Sequence, residues 1–356
     1  RPELDVMQAT VQGGTLEERR ELARAIAESP RADLMPLMGP LFDSGDVAVR
    51  REVLRAARQM PLPERVVPGL VALLLDSALR AGAREALVGI GTPALEHLGA
   101  RLLDESTPSE VDRELPAAVA AFPPAEAVPL LLRRIGAPRG GTSRFRSLRA
   151  LNRLRQREPG LQLDRDLLDR ALTIELASAT RSRESRLEAL ALGISDQTAG
   201  GGGALLLEVL GSRESLAAER VYRVLQLIFP DGGLERVYLG TRSARPAVRG
   251  AAIEVLLELL PSPVRERILA LLTDAPRARS PRSEVSPARR ERFIVDLFGN
   301  PSTMVRLLAA CIAAENGWRE VLPTLRAVAS ELTEDADVEV ARNAIATLEG
   351  GAAAHG

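Results

Sequence analysis

The sequence predicts an all-α protein built as an α-α superhelix, a solenoid of stacked two-helix repeats, and three observations carry that prediction. Apolar residues make up 46% of the 356-residue chain but aromatics only 3%, whereas sandwiches and barrels fill their cores with aromatic and β-branched side chains. Leu, Ala, Arg and Glu dominate, the composition of stacked helices. An apolar residue followed by Arg, then by small or apolar residues at helical spacing, recurs along the chain.

After an N-terminal lead-in over 1–14, that recurrence sets the order of elements. Val49-Arg50 precedes Val53, Leu54 and Ala57; Leu79-Arg80 precedes Ala83, Ala86 and Leu87; Phe145-Arg146 precedes Leu148 and Leu151. Arg113, with Leu115, Ala118 and Val119 after it, divides the interval from Arg80 to Arg146 evenly. Towards the other end come Val248-Arg249, Val305-Arg306 and Ala341-Arg342. A second apolar stretch follows most of these after a short turn, at 66–75, 94–103, 125–135, 264–272 and 321–332. Pro63, Pro93, Pro124 and Pro263 stand at their starts, where a missing N–H costs a helix nothing. Paired short helices of this kind cannot bury both faces alone, so the units are expected to stack.

The closest repeats, Asp46-Val47-Ala48-Val49-Arg50 and Arg245-Pro246-Ala247-Val248-Arg249, resemble the HEAT-repeat family, including its short-unit relatives among phycobilin lyases. The resemblance covers about 15–160 and 244–350 and is specific for fold, not for function. In that family an Asp and an Arg form a ladder between neighbouring repeats. The resemblance therefore implies a structural ladder of Asp46, Arg50, Arg80, Arg249 and Arg306, incomplete because Arg80 and Arg249 lack an equivalent Asp. Residues 161–243 depart from the pattern. They read as longer, divergent helices of the same stack: one long or two abutting helices over 164–194, a glycine break at 199–203, and a helix over 205–229 ending at Pro230-Asp231-Gly232-Gly233. A loop rich in Arg, Ser and Pro at 274–287 reads as a mobile insertion, and 351–356 as a linker-like tail.

The sequence carries no motif that meets the minimum for catalysis. The Gly200–203 run has no following Lys-Ser/Thr for a phosphate loop, and no Gly-x-Ser-x-Gly elbow occurs. His97 and His355 lie far apart, and one cysteine, Cys311, allows neither an internal disulfide nor a Cys-based zinc site. Cys311 reads as a small core residue within an apolar run, and His97, beside the stripe Leu95, Leu98 and Leu102, as a partly buried structural histidine. The expectation is a protein that is not an enzyme, with no metal, no cofactor and no small-molecule substrate.

One cluster stands out. Nine arginines and no acid lie between positions 133 and 157: Arg133, Arg134, Arg139, Arg144, Arg146, Arg149, Arg153, Arg155 and Arg157. Residues 146, 149, 153 and 157 are spaced 3, 4 and 4, which places four guanidinium groups on one stripe of a helix. Arg144, Arg146, Arg149, Arg153 and Arg157 are the candidate binding residues for a polyanion or partner. Their counter-charges come either from neighbouring helices or from an anionic ligand. The net charge of −1 and the few aromatics make nucleic acid the weaker partner.

Stretches at 219–230 (Val221, Tyr222, Leu225, Ile228, Phe229, Pro230), 237–243 and 251–260 resemble the HEAT segment of bacterial proteins related to ATP/ADP translocases, where it follows a transporter-like membrane domain. That resemblance implies a cytoplasmic scaffolding role at the face of a membrane. The partners would be attached neighbouring domains, another protein, or anionic lipid headgroups. The start at Arg1 rather than Met fits a piece of a longer polypeptide. A free-standing protein–protein scaffold and a nucleic-acid-binding solenoid are the competing readings.

Overall fold

A computed structural model describes residues 2–137, 141–194, 201–272, 286–300 and 302–350. Among them there are nineteen α-helices, three short 3-10 turns and no strand; the protein is all-α. Arg139, the tail and nearly all of the predicted insertion at 274–287 lie outside the described residues. The contacts divide the chain into two compact units, one of residues 1–172 and 223–230, the other of 173–222 and 231–356. The division falls inside both long helices of the centre.

The first unit is a run of short helices: α1 (Pro2–Gly13), α2 (Leu16–Glu28), α3 (Met35–Asp43), α4 (Val47–Ala56), α5 (Val67–Leu73), α6 (Arg80–Ile90), α7 (Thr92–Leu103), α8 (Ser109–Val119), α9 (Pro124–Ile135) and α10 (Gly141–Arg157). Capping chemistry sets several starts. Thr15 and Glu18 form a reciprocal capping box at α2, and Asp46 Oδ1 accepts from the Ala48 and Val49 N–H groups at α4. Pro68, Pro93 and Pro124 sit in the first turns of α5, α7 and α9, as their missing donors allow. Alternate helices pack on one another: α2 on α4, α4 on α6, α8 on α10, and α5 on α7, α7 on α9. Leu70, Leu74, Leu87, Leu98, Leu115 and Leu131 are buried completely between them. Two glycines allow close approach here, since a Cβ on Gly69 would meet the Phe42 ring at 2.8 Å and one on Gly99 the Leu130 side chain at 3.0 Å.

The recurring arginines do something the family resemblance does not imply. Arg50 Nε donates to Phe42 O at 3.1 Å, Arg80 Nε to Leu74 O at 2.6 Å, and a terminal nitrogen of Arg144 to Ala137 O at 3.0 Å. In the second unit Arg249 donates to Ser243 O at 3.1 Å and Arg265 to Leu260 O at 3.0 Å. Each acceptor lies at or just past the end of the preceding helix, where carbonyls lack intrahelical partners and the dipole is negative. Between α7 and α8 the Thr107 hydroxyl does the same for Arg101 O at 2.8 Å. A side-chain cap on the preceding helix thus recurs in several of the hairpins, given by the repeat arginine at Arg50, Arg80 and Arg249 and by other residues at Arg144, Arg265 and Thr107. Asp46 and Arg50 serve their own hairpin and, among the described residues, pair with no neighbouring repeat, and Arg249 likewise stays local. Arg80 does have the equivalent Asp, since Asp76 Oδ1 accepts from the Ala78 and Leu79 N–H groups. Arg306 bonds Thr303 on its own helix and approaches Glu331 of α18 (Leu322–Glu331) at 3.9 Å, and Arg80 approaches Glu114 of the next pair at 3.5 Å.

Arg50 also lies 5.2 Å over the Phe42 ring. Arg50→Ala is expected to cost about 1–2 kcal/mol through loss of the carbonyl cap and the ring contact. Urea denaturation checks this, and a midpoint equal to wild type would dismiss the capping role.

The second unit takes in most of α11 (Arg165–Ala191) and α12 (Gly202–Ile228), then α13 (Leu234–Thr241), α14 (Pro246–Leu259), α15 (Ser262–Leu272), α16 (Pro287–Phe298), α17 (Thr303–Glu315), α18 and α19 (Asp335–Gly350). Within the 164–194 stretch, Arg165–Ala191 form one continuous helix, α11. Gly233, at φ +58°, supplies the left-handed turn that opens α13. Gly240 brings α13 against α14, where a Cβ would sit 2.6 Å from Ala252 Cβ. Tyr222 stacks tilted on Tyr238, centroids 4.5 Å apart, and burial pushes its phenol up to about 12. The main core joins Ile194, Leu206 and Leu210 to Phe293, Ile294, Phe298, Ile312, Trp318 and Leu348.

Candidate functional site

The arginine cluster is resolved by the first unit into three environments, and helix geometry decides which residue meets which. Position 144 precedes 146 by two residues, about 200° around the helix. Arg144 therefore falls with Ser143, Ser147 and Leu151 on the covered face, where it is 4% exposed and holds the Ala137 carbonyl. Its burial corrects the expectation that Arg144 is one of the residues presented to a polyanion or partner. Arg134, on α9, is also buried; one of its terminal nitrogens lies 3.0 Å and 3.2 Å from the two Asp112 oxygens, and its Nε donates to Ser143 Oγ.

Arg146 belongs to a second environment centred on Glu114, a carboxylate in the middle of α8 that is 3% exposed. Arg146 reaches Glu114 at 3.2 Å, Arg84 at 3.3 Å, and Arg80 and Arg113 at 3.5 Å. Arg146 also donates to the Arg113 carbonyl at 3.1 Å. One negative charge thus faces four positive ones, drawn from α6, α8 and α10. Burial pushes the Arg84 pKa down from the usual arginine value; Glu114 opposes that shift, while Arg80 and Arg146 reinforce it.

Of the five candidate binding residues, the remaining three form the third environment. Arg149, Arg153 and Arg157 are exposed and make no ion pair among the described residues. Arg149 lies 5.8 Å over the Phe145 ring. With Arg84 and Arg146 they line a groove of about 400 Å³ between α8 and α10. Its floor is apolar and small, formed by Ala117, Ala120, Ala121, Ala150 and Leu154. Of the two sources of counter-charge considered from the sequence, neighbouring helices supply it to Arg134 and Arg146, and among the described residues no carboxylate pairs with Arg149, Arg153 or Arg157.

Sequence reasoning missed Arg84 and Glu114. Arg84 is one turn beyond a recognised repeat arginine, and an acid among repeats carried no signal of its own. The other singled-out residues are modest. His97 is half-buried, with its pKa lowered by that burial and then by the Arg101 charge. Cys311 is half-buried rather than in the core, and burial, followed by the Glu315 charge, raises its thiol pKa. A protonated thiol is a poor nucleophile. No group of three or more His, Cys, Asp or Glu among the described residues could hold a metal ion, and no described helix is long and apolar enough to cross a membrane. Comparison with protein-family models and with the curated proteins found no match.

Proposed function

We propose that this chain is a non-catalytic interaction module, a superhelical stack of HEAT-like repeats whose α8–α10 groove docks an acidic segment of a protein partner. The observation that carries the reading is the row of arginines 149, 153 and 157, which among the described residues pair with no carboxylate and stand beside an apolar floor. The alternate-helix packing of the first unit supports the repeat architecture. From Arg146 to Arg157 the row runs about 16 Å, the length of about five extended residues. Guanidinium groups fork onto carboxylates in pairs, and the alanine floor accepts a backbone or short side chains. A groove without aromatics offers no platform for stacking bases, which favours a peptide over a nucleic acid.

The resemblance of 219–260 to the HEAT segment of translocase-related proteins supports a place for the module: cytoplasmic, coupled to a transporter-like membrane domain in the same bacterial polypeptide. Reading the gene upstream tests this, and a natural Met start near Arg1 would end it. For the groove itself, a labelled peptide of alternating Glu and small residues is expected to bind at low salt, more weakly as salt rises. Charge reversal by Arg149→Glu with Arg153→Glu is expected to weaken binding by at least about tenfold. Stability should change by less than about 0.5 kcal/mol, since both side chains are exposed. No affinity at low salt, or an affinity indifferent to the reversal, overturns the reading. So does a single-stranded oligonucleotide that binds where the peptide does not.

A further inference from the structure

A second cavity lies in the second unit, far in sequence from the arginine groove. It measures about 830 Å³ and is walled by α11, α12 and α16, a size suited to a small ligand. Its chemistry differs from that of the groove. Ser178, Ser182 and Ser185 recur at spacings of four and three along α11, so their hydroxyls line one wall. Leu210, Phe293 and Leu297, all at least nine-tenths buried, form an apolar patch.

The charges around it are unevenly spent. Arg289 is taken up by Glu188 through two hydrogen bonds of 2.6 and 2.8 Å, which join α16 to α11. Glu214 is taken up by Arg183 and Arg186. Arg181, Arg213 and Arg292 then face the cavity with no ion pair among the described residues, against the carboxylates Glu184 and Asp296, also unpaired. Arg213 is the informative one. It is half-buried in a wall next to apolar side chains, and burial alone lowers its pKa from the usual arginine value. A guanidinium placed there without a counter-ion costs stability that a bound anion would return.

We propose that this cavity is a binding site for a small organic phosphate, a ligand with a phosphoryl group on an apolar ring or chain. Three terminal oxygens match several guanidinium and hydroxyl donors, where a carboxylate offers only two. Arg213 holds the phosphoryl group, with Arg292 and the serine hydroxyls beside it. The apolar body lies on Phe293 and Leu210. This site is separate from the acidic-peptide groove and stands or falls independently of it.

The test is calorimetric titration of the whole chain with phenyl phosphate, inorganic phosphate and benzoate. Phenyl phosphate is expected to bind with a Kd of about 1 mM or tighter, and each of the other two at least about tenfold more weakly. Arg213→Gln should weaken phenyl phosphate by at least about tenfold, while Arg153→Gln in the groove leaves it unchanged. If Arg213→Gln melts the fold, Arg292→Gln, at an exposed position, carries the same expectation. The proposal is overturned if phenyl phosphate binds no tighter than inorganic phosphate or benzoate. Full affinity in a folded Arg213→Gln protein, or in Arg292→Gln where the first does not fold, also overturns it.

Discussion

Replacing Glu114 by Gln is expected to destabilise the protein by about 3 kcal/mol and, in the same variant, to tighten the binding of an acidic peptide. The side chain keeps its shape, so the loss is one of charge. Four guanidinium groups within 3.5 Å lose the carboxylate they share. Removing one partner of a buried ion pair costs about 3–5 kcal/mol. The lower end applies because the arginines keep some water, Arg84 being 29% and Arg146 36% exposed at the side chain. The residual repulsion is between partly solvated charges, so added salt should recover part of the loss. Arg84 and Arg146, freed from Glu114, join Arg149, Arg153 and Arg157 as positive charge for the groove. Urea denaturation and peptide titration on one protein read both effects. A loss below about 1 kcal/mol, the range of exposed pairs, would remove Glu114 from the centre of the cluster. Weaker peptide binding would detach the cluster from the groove.

Asp112→Asn is expected to cost about 3–5 kcal/mol. Its partner Arg134 is 3% exposed, so the guanidinium would be left in the interior without a carboxylate, keeping the neutral Ser143 hydroxyl as acceptor for its Nε. Unlike the Glu114 cluster, this pair has one cation and one anion, so salt should do little for the variant. A double variant, Asp112→Leu with Arg134→Met, fills similar space without charge and should return to within about 1 kcal/mol of wild type. Denaturation midpoints at an unchanged slope decide the matter. A double variant as unstable as the single one would mean that the pair, rather than its burial, holds α8 to α9.

Much of the fold was legible because helices write themselves locally. The prolines at 93 and 124 and the apolar stretches after them correspond to α7 and α9, and the continuous pattern over 164–194 to α11. The apolar–Arg recurrence was equally legible, but its meaning was not. A ladder and a C-cap use the same residue at the same position, and only the path of the guanidinium distinguishes them. At Arg50 that path leads back to Phe42 O.

The candidate site divides in the same way. By itself the sequence determined that the chain is helical and that arginines 146, 149, 153 and 157 share one face of α10, since both follow from a periodicity within a few residues. What only the tertiary structure decided is which of those charges are spent. Arg144 turns inward, Arg146 goes to a carboxylate more than thirty positions away, and three arginines are left facing a groove. The cavity of Ser182, Arg213 and Arg292 was invisible for the same reason. Electrostatic energy depends on distance in space and on burial, and neither is a function of position along the chain.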